Sequence, residues 1–272
     1  MHYKALSIAG FDGSGGAGIQ ADLKTFSALG CYGMTVLTAL PVQNTCGVKS
    51  CYSIPLQAIE DQLNAIFDDI KPDGIKIGML FNSEIIGLVS SFLKRKAADI
   101  PIVIDPVTVA KSGDSLLLPE AVDSLITELM PLATLITPNL PEASTFTGIN
   151  VSSEKEMKYI GQKLLDFGPK YVLLKGGHLH SLESNDLLIG VNGDTHWFAS
   201  PRINSQNTHG TGCTLSAAIT ACLAQKIDLI KACSIAKNYL FNAIKAAKEE
   251  RIGLGNGPVH HFYHFWPVQL LD

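Results

Sequence analysis

Apolar, β-rich runs alternate with segments of helical periodicity along this chain, and that alternation restricts it to a small set of folds. The runs cover residues 5–9, 35–40, 74–77, 102–104, 132–136 and 171–174. They lack the apolar-polar alternation of a strand with one wet face, so each reads as a strand buried on both faces. Between them, apolar residues recur at helical spacing: Ile19, Leu23, Phe26 and Leu29 before Gly30; Ile59, Leu63, Ile66 and Ile70; Met157, Ile160, Leu164 and Phe167 before Gly168. Gly30 and Gly168 are C-terminal stops, and Ser153 with Glu156 forms a capping box. The pattern predicts an α/β fold with a mostly parallel central sheet and helices on both faces. It breaks once, at residues 186–199, where two short strands flank Asn192-Gly193 and predict an antiparallel hairpin at one edge. Two helices, roughly residues 211–224 and 228–250, close the chain. With no repeat, low-complexity stretch or Pro/Gly-rich linker, residues 1–272 read as a single domain.

A chain of 272 residues with 46% hydrophobic content supplies a sizeable core. A net charge of −4 gives no electrostatic footprint for nucleic acid or anionic lipid, and Lys94-Arg95-Lys96 is too short a run to change that. Any anion must therefore sit in a local site. Cys31, Cys46, Cys51, Cys213, Cys222 and Cys233 show neither C-x-x-C pairs nor a disulfide framework, so a reducing compartment is expected. Neither a signal-peptide core nor a membrane-length apolar run is present, and the expected address is cytoplasmic.

The residues richest in chemistry are Asn207-Thr208-His209-Gly210-Thr211-Gly212-Cys213, which run directly into an apolar helix. Gly210 and Gly212 let the unpaired N–H groups of a first helical turn converge, which makes an anion site. A thiol there is expected to have a lowered pKa, making Cys213 a candidate thiolate beside a phosphate. The plain alternative is a glycine turn with a small buried cysteine.

Near the N-terminus, Gly13, Gly15 and Gly18 satisfy G-x-G-x-x-G after a strand. No Asp or Glu lies between Asp22 and Glu60 to hold a ribose, so a dinucleotide site is discounted. The loop reads instead as a close approach to a small ligand framed by Asp12 and Asp22, although Asp22 equally suits a helix-dipole partner. The dipeptide Gly-Lys is absent, which excludes a P-loop. Polar groups fall at predicted strand ends: Gln43-Asn44-Thr45, Asp105-Pro106, Asn139 and Glu142, and Lys175 before Gly176-Gly177-His178. In an open parallel sheet these ends share one crevice. Asp105 and Glu142 suit Mg²⁺ together with phosphate oxygens, and Lys175 suits phosphate. His260 and His264 have i, i+4 spacing but no accompanying Glu or Cys, so the aromatic tail around them reads as packing. His209 either orients the anion loop or bonds backbone.

Together these residues resemble the hydroxymethylpyrimidine and phosphomethylpyrimidine kinase family of thiamine biosynthesis, within the ribokinase-like superfamily. The resemblance is carried by Ala9-Gly10-Phe11-Asp12 through Gly18-Ile19-Gln20-Ala21-Asp22, by Val42-Gln43-Asn44-Thr45 and by Lys76-Ile77-Gly78-Met79. It continues through Ala110-Lys111-Ser112-Gly113, Thr137-Pro138-Asn139-Leu140-Pro141-Glu142-Ala143, Leu174-Lys175-Gly176-Gly177-His178 and the segment ending in Cys213. Phe11-Asp12-Gly13 departs from the family's more usual Thr-Asp-Pro or Ser-Asp-Ser.

The resemblance implies a three-layer α/β/α sandwich that transfers the γ-phosphoryl group of ATP to a hydroxymethyl group and then to the resulting phosphate. It places Gln43 on the aminopyrimidine edge, helped by Asp22, Gly10, Ala17, Met79 and Val107. Asn139, Glu142, Lys175, Thr208 and Gly210 would serve ATP, while Asp105 and Glu142 would hold Mg²⁺. Gly210, Thr211, Gly212, Cys213 and Lys175 would serve catalysis, with Cys213 accepting or orienting the hydroxyl proton where sugar kinases carry Asp. Residues 111–114 resemble a mobile flap. A homodimer acting on small molecules, with no nucleic-acid or membrane partner, is the expected assembly. Two rivals stand beside this reading: pyridoxal kinase, whose acceptor geometry is the same, and a ligand-binding sensor with a nucleotide pocket.

Overall fold

In the computed structural model, residues 3–108, 117–118, 120–179 and 181–266 are described. The proposed flap at 111–114 lies outside them. The elements run β1 (Tyr3–Ala9), α1 (Gly18–Ala28), β2 (Cys31–Leu37), β3 (Ala39–Asn44), β4 (Gly47–Ser53), α2 (Leu56–Asp69) and β5 (Gly74–Ile77). They continue with α3 (Ser83–Lys96), β6 (Ile102–Ile104), α4 (Ala121–Ser124), β7 (Leu135–Ile136), α5 (Leu140–Thr147) and α6 (Glu154–Leu165). The remainder is β8 (Tyr171–Lys175), β9 (Asp186–Gly190), β10 (Thr195–Phe198), α7 (Thr211–Ala224) and α8 (Leu229–Ala247).

The main sheet has the order β10-β9-β8-β7-β6-β5-β1-β2, parallel from β8 to β2 and antiparallel at the β8-β9-β10 edge. Its pleat divides the core into two layers. Ile102, Ile104, Val172 and Leu174 face one cluster with α2, α3, α5 and α6, while Val103, Leu173 and Leu188 face a second with α7 and α8. Ala5 joins α1 and α7 on that second side. The result is a three-layer α/β/α sandwich, as the resemblance implies. Helix α7 is buried almost all round by small residues, from Thr214 to Ala224.

Two expected strands differ. Residues 35–40 do not form one strand, because Thr38 leaves the sheet, donating its N–H to Ala9 and its hydroxyl to the Met79 carbonyl. The chain then enters a separate two-stranded arm, β3-β4. The run at 132–136 contributes only Leu135–Ile136, since Met130–Leu132 is a 3₁₀ turn around Pro131, which cannot donate to a ladder. The hairpin turn at Gly193 (φ 84°) and the capping interaction of Glu156 with the Ser153 N–H are as expected.

From β1 the chain moves to β2 on one side and later to β5 on the other. The carboxyl ends of β1 and β5 therefore flank a topological switch point, where open α/β sheets hold ligands.

Phe92 of α3 is 1% exposed and packs edge-on against Phe67 at 5.0 Å. Phe92→Ala is expected to cost about 3–5 kcal/mol, read as a fall in the urea midpoint at unchanged slope.

Candidate active site

The carboxyl ends of the strands are tied rung by rung to their neighbours. Gly78 donates to Ile8, Asp105 to Ile77, Thr137 to Ile104 and Lys175 to Pro138, each through backbone at 2.9–3.0 Å. This lattice aims the polar residues that follow each strand into one cavity of about 530 Å³.

At one end the wall is Gly10, Ala17, Met79, Val107 and Gln43. Gln43 sits where the β3-β4 register shifts, a bulge that turns its side chain toward β1. Its amide donates to the Phe11 carbonyl at 3.1 Å. At the centre, Lys175 donates to Asp105 at 2.9 Å, and Thr137 shares the same carboxylate oxygen at 3.3 Å. Asn139 and Glu142 close a capping box on α5, the Asn139 N–H and the Glu142 carboxylate meeting at 2.8 Å. Burial pushes the Glu142 carboxyl up to about 7, with Lys175 pulling it down and Asp105 pushing it further up. Burial works against the Lys175 charge, yet Asp105 and Glu142 hold its ammonium above its ordinary value.

Helix α7 opens onto these groups. Gly210 caps it in the left-handed region (φ 76°), and a side chain there would collide with the Gly16 carbonyl. A side chain at Gly212 would lie 3.1 Å from Asp105 and 3.3 Å from the Lys175 ammonium. The first turn of α7 thus adjoins the Lys175 ammonium and the Asp105 carboxylate. Thr208, Gly210, Thr211, Gly212 and Cys213 all line the cavity, as do Asp105, Asn139, Glu142 and Lys175.

Two expectations are corrected. Cys213 is not a low-pKa thiol: burial pushes it up to about 11, and Lys76 and the Gly18 N–H offset only part of that while Asp22 and Asp105 add to it. The favourable helix terminus is outweighed by desolvation. Asp22 does not stand on the cavity wall. It is fully buried behind it, accepting hydrogen bonds from Lys76 at 2.8 Å and Ser7 at 2.5 Å.

Asp12 and His209, both singled out in the sequence, turn out to act together. Asp12 is buried and accepts from the Ser14 N–H and hydroxyl and from the Gly16 and Ala17 N–H groups. It also meets His209 Nε2 at 2.8 Å, so the substrate-side loop is clamped to the anion loop. The far end of the cavity, with Asp186, Arg202, Lys237 and Phe241, comes from segments that carry no local motif. In the tail, burial lowers His261 to about 3, and its ring meets the Thr214 hydroxyl at 3.1 Å.

Among the described residues there is no group of three or more His, Cys, Asp or Glu placed to hold a metal. Asp105 and Glu142 nonetheless fit a hard divalent ion that completes its shell with phosphate oxygens and water. Glu142 is raised toward neutrality partly by the Asp105 charge, a repulsion such an ion relieves. No helix among the described residues is long and apolar enough to cross a membrane.

A ribokinase-like sandwich with a lysine, two carboxylates and a helix N-terminus at its switch point defines a small-molecule kinase. The sequence profile of the family described as Phosphomethylpyrimidine kinase matches residues 12–260, and the chain belongs to that family. It is 49% identical to the hydroxymethylpyrimidine/phosphomethylpyrimidine kinase of Rhizobium meliloti, over 96% of this chain and 98% of the relative. The crystal structure of a phosphomethylpyrimidine kinase from Clostridium difficile superposes with a TM-score of 0.79 at 45% identity, covering 89% of this chain and 99% of the other. A Staphylococcus aureus pyridoxal kinase, solved with AMP-PCP and pyridoxal, superposes with a TM-score of 0.88 at 34% identity, covering 97% and 96%.

The Asp12 clamp predicts a pH dependence. Burial opposes its charge, but hydrogen bonds from His209 and Ser14 win and hold the carboxyl at about 2, below its ordinary 3.8. A depressed carboxyl stabilises the fold above the unfolded pKa, and that contribution is lost as pH falls through about 2. Urea titrations of Asp12→Asn should show a deficit of about 1–2 kcal/mol at pH 6 that narrows between pH 4 and pH 2. A deficit independent of pH would rule out the charge as its source.

Proposed function

We propose that the chain uses ATP to phosphorylate 4-amino-5-hydroxymethyl-2-methylpyrimidine and then its monophosphate, giving the diphosphate for thiamine biosynthesis. The observation that carries this is one cavity joining an amide suited to an aminopyrimidine edge, Gln43, to the phosphate-suited N-terminus of α7 beside Lys175. Family membership gives the reaction class. Residues 1–272 act as one kinase domain, in a cytoplasmic homodimer, without nucleic-acid or membrane partners.

Gln43 uses one donor on Phe11, which leaves its carbonyl and a second N–H to read an amino group and a ring nitrogen. Gly10, Ala17, Met79 and Val107 shape the remaining wall. Asp22 supports it from behind. Thr208, Gly210 and Asn139 face the nucleotide phosphates. The first-turn N–H groups from Thr211 to Cys213 and the Lys175 ammonium meet the charge developing on the transferred group. When bound, Mg²⁺ held by Asp105 and Glu142 supplies further neutralisation of the ATP phosphates. Cys213 receives or orients the hydroxyl proton in the first transfer. In the second the acceptor is already an anion, so positioning dominates.

Pyridoxal kinase is the second reading, favoured by the superposition with the pyridoxal-bound S. aureus enzyme. A phosphorylation panel with ATP and Mg²⁺ separates the two. Both the pyrimidine alcohol and its monophosphate should be converted, and pyridoxal poorly, because Gln43 matches an amino-substituted ring edge. High efficiency confined to pyridoxal would overturn the primary reading, and binding without turnover would favour the sensor.

Glu142→Gln and Lys175→Ala should lower kcat by at least about 100-fold at saturating Mg·ATP, the scale of losing a group that meets transition-state charge. Glu142→Gln should keep or raise the melting temperature, since its amide replaces a carboxylate that burial disfavours. Near-normal kcat in either variant removes that residue from the mechanism.

A further inference from the structure

Lys76 lies on β5 and is fully buried, an ammonium group inside the sheet whose register partner on β1 is the buried Ser7. Such a charge is costly unless it is paired. Its pairing is incomplete in an informative way. Lys76 Nζ donates to one oxygen of Asp22 at 2.8 Å, and the Ser7 hydroxyl donates to that same oxygen at 2.5 Å. The other oxygen, Oδ1, is buried without a hydrogen-bond partner among the described residues. A pair built only for stability would satisfy both oxygens.

What the arrangement accomplishes is to hold Nζ toward the cavity. Lys76 lines it, and a side chain on Gly78 would come within 2.8 Å of Nζ, so the glycine keeps that space clear. The groups whose charges act on Cys213 come from four directions: Lys76 on β5, Asp22 on α1, Asp105 after β6 and Lys175 on β8. The Gly18 N–H, at the start of α1, also favours the charged form of the thiol. Lys175 is engaged by Asp105 beside the phosphate end of the site. Lys76 lines the same cavity as Cys213, and its charge favours the thiolate.

We propose that Lys76, anchored by Asp22 and Ser7, is a positioning residue that supplies the positive charge against which the Cys213 thiol ionises for the first phosphoryl transfer. The inference rests on the kinase reading above for its catalytic consequence. The thiol first gives its proton to water. The thiolate then takes the proton of the substrate hydroxyl as the hydroxyl oxygen bonds to the γ-phosphorus and the bond to the β-phosphate oxygen breaks, releasing ADP. The thiol returns that proton to water before the next turnover.

Iodoacetamide alkylation of the full chain without substrates, followed by peptide mapping, tests the charge independently of activity. Exposed Cys46 serves as the internal reference. At pH 8 to 9, well below the thiol's pKa, alkylation of Cys213 tracks its thiolate fraction. Lys76→Met should slow it at least about 10-fold, one pKa unit, whereas Asp22→Asn should speed it. A pair with a purely structural role would loosen in both variants and move both rates the same way, or neither. Either result overturns the proposal. Should Lys76→Met fail to fold, Lys76→Met/Asp22→Asn replaces it, and Cys213 must then react more slowly than in Asp22→Asn alone. Opposite shifts in alkylation in a protein that fails the substrate panel would sustain the charge assignment and sink only its catalytic use. In an active enzyme, Lys76→Met should reduce kcat for the alcohol far more than for the monophosphate.

Discussion

The close approach of the first turn of α7 to the glycine loop after β1 is the contact on which the rest of the site depends. Gly210 sits against the Gly16 carbonyl and Gly18 against that of Gly10, with no room for a side chain at either position. This contact brings a helix N-terminus from late in the chain onto strand ends formed in its first two thirds. The helix is wedged by small residues between α1, α8 and the sheet, so its position is set by packing rather than by the ligand. The Asp12-His209 clamp adds a charged hydrogen bond across the same seam. The phosphate end and the acceptor end are consequently parts of one rigid piece, which suits a reaction governed by alignment.

Charge is the second organising element. Asp22, Asp105 and Glu142 are buried around two ammonium groups, Lys76 and Lys175, so the carboxylates outnumber the cations. The imbalance appears in the titration behaviour: Glu142 moves toward neutrality and the Cys213 thiol resists ionisation. A site left short of positive charge favours a ligand that arrives with a cation. The same shortage explains why a helix N-terminus does not make Cys213 acidic. A dipole that is worth about 0.3–1 kcal/mol at an exposed terminus competes here with desolvation of the sulfur and with two nearby carboxylates.

Much of this was legible in the sequence because strand ends in an open parallel sheet must converge, whatever their separation in sequence. Asp105, Glu142 and Lys175 could be gathered on that rule alone, Gly210 to Cys213 were read separately as a helix N-terminus, and the structure brings all of them to one cavity. The β3-β4 arm was hidden because Thr35 to Leu40 reads as one apolar run, and only the tertiary bonds of Thr38 divide it. The Cys213 pKa was misjudged because a helix start is a local signal while desolvation depends on neighbours from distant segments. Lys76 was visible as a charged residue inside a strand otherwise expected to be buried. The sequence reading did not single out that local conflict, which the role proposed for Lys76 would explain, since an apolar residue would pack there at lower cost.

Substrate preference in this fold comes from a small part of the molecule. The sandwich superposes as well on a pyridoxal kinase as on a phosphomethylpyrimidine kinase, so the backbone frame does not choose the acceptor. In the proposed reading the choice falls to groups such as Gln43, whose direction is set by a bulge in an arm outside the main sheet and by one bond to Phe11. A single amide held in this way can discriminate strongly, because a ring that fails to complete its hydrogen bonds leaves a buried polar group unsatisfied. The phosphate chemistry proposed above would, by contrast, belong to α7 and the sheet, whose packing tolerates little change. Acceptor specificity can therefore shift through the arm while the transfer machinery stays fixed.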